Sequence, residues 1–98
     1  MPEPRHVYVI MYDVREPKRL KRVHKLLRGW GEPLQYSVFN VRATKREIAE
    51  LRCRLTSLVE TEDSVLWFRL CQVCANQIVV QGEPHVHLEV RPPIARVI

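Results

Sequence analysis

The sequence predicts an α+β domain in which an antiparallel sheet carries two helices on one face. Three observations lead there. Val7, Tyr8, Val9, Ile10, Met11 and Tyr12 form a continuously apolar run, rich in β-branched and aromatic side chains, as a central strand requires. From Pro17 the apolar residues recur at helical spacing. Thr44-Lys45-Arg46-Glu47 is a capping box, in which the Thr44 hydroxyl and the Glu47 carboxylate each satisfy an orphan N–H at the start of a second helix.

Taken in order, the first strand covers residues 6–14, and its apolar run stops at Asp13. Pro17 then fits the first turn of a helix, where its missing N–H costs nothing. Along residues 17–28, Leu20, Val23, Leu27 and Trp30 gather on one side, with Leu26 at the margin. Lys18, Lys21, Arg22, Lys25 and Arg28 occupy the other side and Arg19 the boundary. Gly29 and Gly31 supply the stop signal. Residues 35–41 read as a second strand. Ile48, Leu51, Leu55 and Leu58 mark the second helix, which the polar stretch 60–63 ends. Residues 64–71 and 77–81 read as two more strands, the last closed by Gly82. The remainder holds a candidate strand at 86–90, then Pro92 and Pro93, then a short apolar end.

Joined by right-handed β-α-β crossovers, these elements are expected to build a βαββαβ, or ferredoxin-like, sandwich from residues 1–82, with 83–98 as a C-terminal strand or tail. Both helices cover one sheet face, yet the first strand is apolar on both. A second copy is the economical cover for the other face. The expected state is therefore a homodimer, with the tail crossing to extend the partner's sheet.

A chain of 98 residues supports one core but no deep enclosed pocket, so a larger active site needs a second subunit. Sixteen Lys and Arg against eleven Asp and Glu give a net charge of +5, which raises the odds of a polyanionic partner. On net charge alone, plain solubility is as good a reading. The N-terminus lacks a cationic stretch followed by an apolar one, and no apolar run is long enough to span a bilayer. Cytoplasmic residence is expected. The odd cysteine count (Cys53, Cys71 and Cys74) fits reduced thiols there.

Asp13 is the leading candidate for chemistry, because a carboxylate on a loop at the end of a rigid strand is well placed to hold a hard divalent cation. The plainer reading is that Asp13 caps the following turn or pairs with Arg15 or Arg19. One carboxylate cannot hold Mg²⁺ tightly, so the ion would be shared with a symmetry mate, waters and a substrate phosphate. The first helix is more specific. A solvated face usually mixes signs, and this one does not, which favours contact with phosphates through Lys18, Arg19, Lys21, Arg22, Lys25 and Arg28. Cys71 and Cys74 resemble half a zinc site, with His85 and His87 as distant companions, but the spacing suits buried thiols at a strand end better. His24 reads as partly buried packing, and Ser37 as a polar group near the Asp13 end.

Three segments bring a family into view: Tyr12-Asp13-Val14 followed by residues 18–23; Leu34-Gln35-Tyr36-Ser37-Val38-Phe39; and Asp63-Ser64-Val65 leading to Arg69-Leu70-Cys71. In this order they closely resemble the small CRISPR-associated adaptation proteins of the Cas two family, over nearly the whole chain. The resemblance implies a ferredoxin-like homodimer and a prokaryotic cytoplasmic setting in antiviral defence. It further implies a Mg²⁺-dependent endonuclease acting on RNA or double-stranded DNA, and a partnership with the Cas one integrase in spacer acquisition. It places the family's metal-binding and catalytic aspartate on Asp13, with Tyr12, Arg19, Arg22, Ser37 and Phe39 at matching positions around it. One departure is Asn40, where many relatives carry a charged residue.

Two functions follow. One is metal-dependent phosphodiester hydrolysis by paired Asp13 carboxylates. The other is a non-catalytic adaptor that holds DNA on its basic helices and the integrase through its tail. An RNA-recognition module of the same fold is disfavoured, since the third strand lacks the Gly-aromatic pattern that stacks bases.

Overall fold

The structure, a computed structural model, describes residues 3–81 and 95–97. The elements run β1 (His6–Asp13), α1 (Pro17–Arg28), β2 (Glu32–Gln35), β3 (Val38–Ala43), α2 (Lys45–Leu58), β4 (Ser64–Leu70), α3 (Gln72–Ala75), β5 (Ile78–Val80) and β6 (Ala95–Val97). The main sheet has the order β2-β3-β1-β4. All three of its pairings are antiparallel. β1 is thus central. The connections β1-α1-β2 and β3-α2-β4 each skip one strand, giving two interleaved split βαβ units and the expected βαββαβ sandwich.

One expected strand is two. Residues 35–41 do not run through, because the chain turns at Tyr36 and Ser37 and makes a β2–β3 hairpin. The strand count of a βαββαβ fold is completed by Glu32–Gln35, which carries Pro33. Proline is tolerated there because β2 is an edge strand that need not donate on its outer side.

The core lies between the sheet and α1 and α2. Ile10, Val23, Leu27, Phe39, Val41 and Leu51 are fully buried, with Leu55 nearly so. Each such side chain contributes about 1.5–3 kcal/mol relative to exposure. The caps that hold the helices differ in legibility. The Thr44–Glu47 capping box forms as read, at 2.9 and 3.1 Å. At α1 the cap is Glu16, whose carboxylate accepts the Lys18 and Arg19 N–H groups at 3.0 and 2.8 Å.

The opposite sheet face is not free of helix along its whole length. α3 closes the β1 start, where Ala75 packs with Val7, Leu70 and Ile78. Cys71 caps that short helix, its sulfur accepting the Cys74 N–H at 3.4 Å. Both thiols are exposed rather than buried, correcting the sequence expectation, since the turn lifts them off the strand end. β6 pairs in parallel with β5 of its own chain, forming a second, two-stranded sheet. The candidate strand at 86–90, Gly82, His85 and His87 lie outside the described residues.

Of the two glycines read as a stop signal, Gly31 is the one the packing demands. Gly29 has an ordinary helical backbone, φ −76° and ψ −13°. A Cβ on Gly31 would sit 2.0 Å from the Asn40 carbonyl oxygen and 3.0 Å from its carbon, and backbone cannot rotate away. Gly31→Ala is therefore expected to push β2 off β3 and cost about 3 kcal/mol. A lowered urea midpoint at unchanged slope would show it; an unshifted midpoint would mean that the hairpin relaxes freely.

Candidate functional site: a strand-end carboxylate beside a basic helix

β1 delivers Asp13 to the end of the central strand, and alternation sets the face it takes. Tyr8, Ile10 and Tyr12 point into the core, so Val9, Met11 and Asp13 face the other way. Asp13 is exposed, opposite Ser64 of β4. Its carboxylate enters no hydrogen bond or ion pair among the described residues. The plainer reading of Asp13, as a partner for Arg15 or Arg19, is thereby corrected: another carboxylate takes that place.

That carboxylate is Asp63. Its oxygens accept the Arg15 N–H at 3.0 Å, the Glu60 N–H at 2.9 Å and the Arg19 Nε at 3.0 Å. The Arg19 guanidinium also reaches Glu62 at 2.6 Å. The Asp63 side chain is wholly covered, and that of Arg19 retains only 17% of its exposure. The loop after β1 is thus tied to the loop before β4, one on either side of Asp13's position. Sequence reasoning saw Asp63 as part of a polar helix stop and of a family motif but gave it no partner, because that partner lies 44 residues away and leaves no local periodicity.

Hydrogen bonding from Arg19, then from the Arg15 and Glu60 backbone, holds the Asp63 carboxyl well below the usual carboxylate range. A depressed folded-state value stabilises the fold above the unfolded carboxyl's pKa, about 4, and the gain is lost as pH falls below that. Asp63→Asn is expected to lower the thermal midpoint by several degrees at pH 7, with the gap to wild type narrowed at pH 3 and closing only as pH falls through the depressed folded-state value. Circular dichroism melts at the two pH values test it, and a gap as wide at pH 3 as at pH 7 would remove the charge from the account.

The basic helix divides. Lys18, Lys21, Arg22, Lys25 and Arg28 are exposed and in no ion pair among the described residues. Arg19 is committed to Asp63 and Glu62, which sets it apart from the other five.

Tyr12, Ser37 and Phe39 support the site from beneath. The Tyr12 hydroxyl donates to the Tyr36 carbonyl at 2.9 Å and lies 3.2 Å from His24 Nδ1. Its backbone N–H donates to the Ser37 carbonyl at 3.0 Å. Burial pushes the Tyr12 phenol up to about 12, so it stays protonated and acts as a brace. Phe39 is buried beneath it, and the His24 ring packs edge-on against Phe39 at 5.2 Å, as expected of a packing histidine. Burial and the Arg28 charge lower the His24 pKa. Asn40, the departure from the family pattern, is buried, its amide directed at the Glu32 carbonyl at 3.4 Å, so it serves the hairpin.

Among the described residues no three His, Cys, Asp or Glu side chains gather to hold a metal. Among the described residues the donor set at this strand end is a single hard oxygen ligand. That fits an ion that keeps most of its waters, such as Mg²⁺, and gives no closed cage.

Fold and site define a small α+β sandwich with an uncommitted strand-end carboxylate on one sheet face and a basic helix on the other. The chain belongs to the Cas2 family: the family model described as CRISPR associated protein Cas2 matches residues 6–78. It is 37% identical over 79 residues to the CRISPR-associated endoribonuclease Cas2 3 of Synechocystis sp., covering 80% of this chain and 86% of that one. Among solved structures, one described as the crystal structure of cas2 aligns with a TM-score of 0.71 at 32% identity, over 90% of this chain and 99% of the other. The Cas2 of Streptococcus pyogenes, solved at pH 6.5, aligns with a TM-score of 0.64 at 30% identity, over 67% and 87%.

Proposed function

We propose that this chain is a Mg²⁺-dependent endonuclease of CRISPR adaptation, hydrolysing phosphodiester bonds of RNA or DNA, and that it works as a homodimer. The observation that carries the reading is Asp13: an exposed carboxylate, unpaired among the described residues, on a rigid strand end of a fold that also presents five uncommitted cations on α1. Curated relatives named endoribonucleases support the activity.

Asp13 from each subunit holds the ion, which when bound supplies Lewis acidity and an acidified water. Lys18, Lys21, Arg22, Lys25 and Arg28 hold phosphates and position the strand. Arg19 keeps the Asp13 loop in place through Asp63. Met11, Leu66 and Phe68, all exposed and on the face opposite α1 and α2, form the seat for the second subunit. Among the described residues no helix is long and apolar enough to cross a membrane, consistent with the proposed prokaryotic cytoplasmic setting.

The test is cleavage of single-stranded RNA and duplex DNA with Mg²⁺, with EDTA, and after Mg²⁺ is restored. Cleavage that EDTA stops and Mg²⁺ returns is expected. Cleavage indifferent to EDTA would overturn the metal, and none on either substrate would overturn the nuclease. The second reading is an adaptor that scaffolds the Cas one integrase on DNA. The lack of a three-ligand metal cluster among the described residues favours it, and spacer acquisition surviving in an Asp13→Asn strain would support it.

A further inference from the structure

A groove of about 570 Å³ opens between α1 and the β2–β3 turn, away from the sheet face assigned to the second subunit. It adjoins the Asp13 strand end through Tyr12, and beyond its cationic rim, already assigned to phosphates, its apolar lining has no part in the steps proposed above. Two rows of α1 residues run along it. Leu20 and His24, one turn apart, present an apolar edge, while Lys21, Lys25 and Arg28 form a parallel cationic row. Across from them stands Tyr36, 64% exposed, at the hairpin tip. Leu20 is itself 37% exposed, so part of its side chain is open to the groove. Among the described residues the lining contains no carboxylate.

An apolar slot with an aromatic wall and a cationic rim selects a flat apolar ring attached to an anion. We infer that the groove receives an unpaired nucleobase of a bound nucleic-acid strand, with the adjoining phosphates on Lys21 and Lys25. Stacking is tolerant of sequence because every base has a π-face. A duplex keeps its bases stacked on one another and cannot offer one without opening. The groove therefore gives the protein a preference for single-stranded or frayed substrate, and it places the base beside the strand end that carries Asp13. This rests on the nucleic-acid reading above and deepens it.

The test uses the full-length protein and a short single-stranded oligonucleotide carrying 2-aminopurine, the same strand with an abasic position there, and the corresponding duplex. Binding of the single strand should quench 2-aminopurine. Tyr36→Ala and Leu20→Ser should each weaken single-strand binding about tenfold and relieve the quench. Affinity for the abasic strand and the duplex should be unchanged, as should the salt dependence, since no phosphate contact is removed. Wild-type affinity in both variants would overturn the groove while leaving nucleic-acid binding intact. An equal loss on all three probes would also overturn it, by showing that the changes act through the backbone contacts or the fold. Displacement of the single strand by poly-glutamate of equal charge would make an acidic chain the occupant instead. Binding to none of the probes would defeat the nucleic-acid reading itself.

Discussion

Asp13→Asn is expected to lower cleavage by about 10²–10³-fold and to leave the fold untouched. The two halves of that expectation have separate causes. Loss of a carboxylate ligand removes several kcal/mol of charge stabilisation from the proposed metal, and each 1.36 kcal/mol is tenfold in rate. Asparagine keeps the shape of the side chain, and Asp13 is exposed with no ion pair to lose among the described residues. Stability should therefore stay within about 0.5 kcal/mol of wild type, as for other surface substitutions. The comparison that isolates chemistry from architecture is Asp63→Asn, which removes a covered charge from the loop staple and should lower the melting temperature instead. Rates measured on RNA and duplex DNA, beside melts of both variants, decide the matter. Undiminished cleavage by Asp13→Asn would remove this residue from the mechanism.

The sequence made Asp13 visible because an apolar run that ends abruptly in a carboxylate is a local signal. So were the capping box at Thr44 and the one-signed face of α1. What escaped was set by contacts distant along the chain or by unusual residues at ordinary tasks. The turn at Tyr36 and Ser37 contains no glycine, proline or asparagine, so residues 35–41 look like one strand; only pairing of Glu32 with Asn40 splits it. Glu16 is not among the preferred capping residues, yet its longer side chain reaches two N–H groups. The staple of Asp63 to Arg19 closes across 44 residues of chain, and neither residue announces the other. Charge counting grouped Arg19 with five solvent-facing neighbours, whereas a helix boundary position is where an arginine can turn inward to a loop.

The second large effect concerns the sheet face opposite α1 and α2. β1 and β4 pair Val9 with Phe68, Met11 with Leu66 and Asp13 with Ser64, all on that face. An apolar row thus runs straight into the carboxylate. Phe68 is 46% exposed and Leu66 54%, so a single chain gains little from either. If a two-fold copy covers the row, Phe68→Asp costs a single chain little but buries an unpaired charge twice in the dimer. Each such charge costs about 3–5 kcal/mol. The dimer dissociation constant should then rise by about 10⁴ or more. Because one Asp13 supplies too few ligands, the variant should lose cleavage along with dimerisation while melting as a folded chain. Light scattering after size exclusion reads the mass, and the cleavage assay reads the site. A Phe68→Asp protein that stayed dimeric would move the interface elsewhere, and a cleaving monomer would show that a single Asp13 suffices.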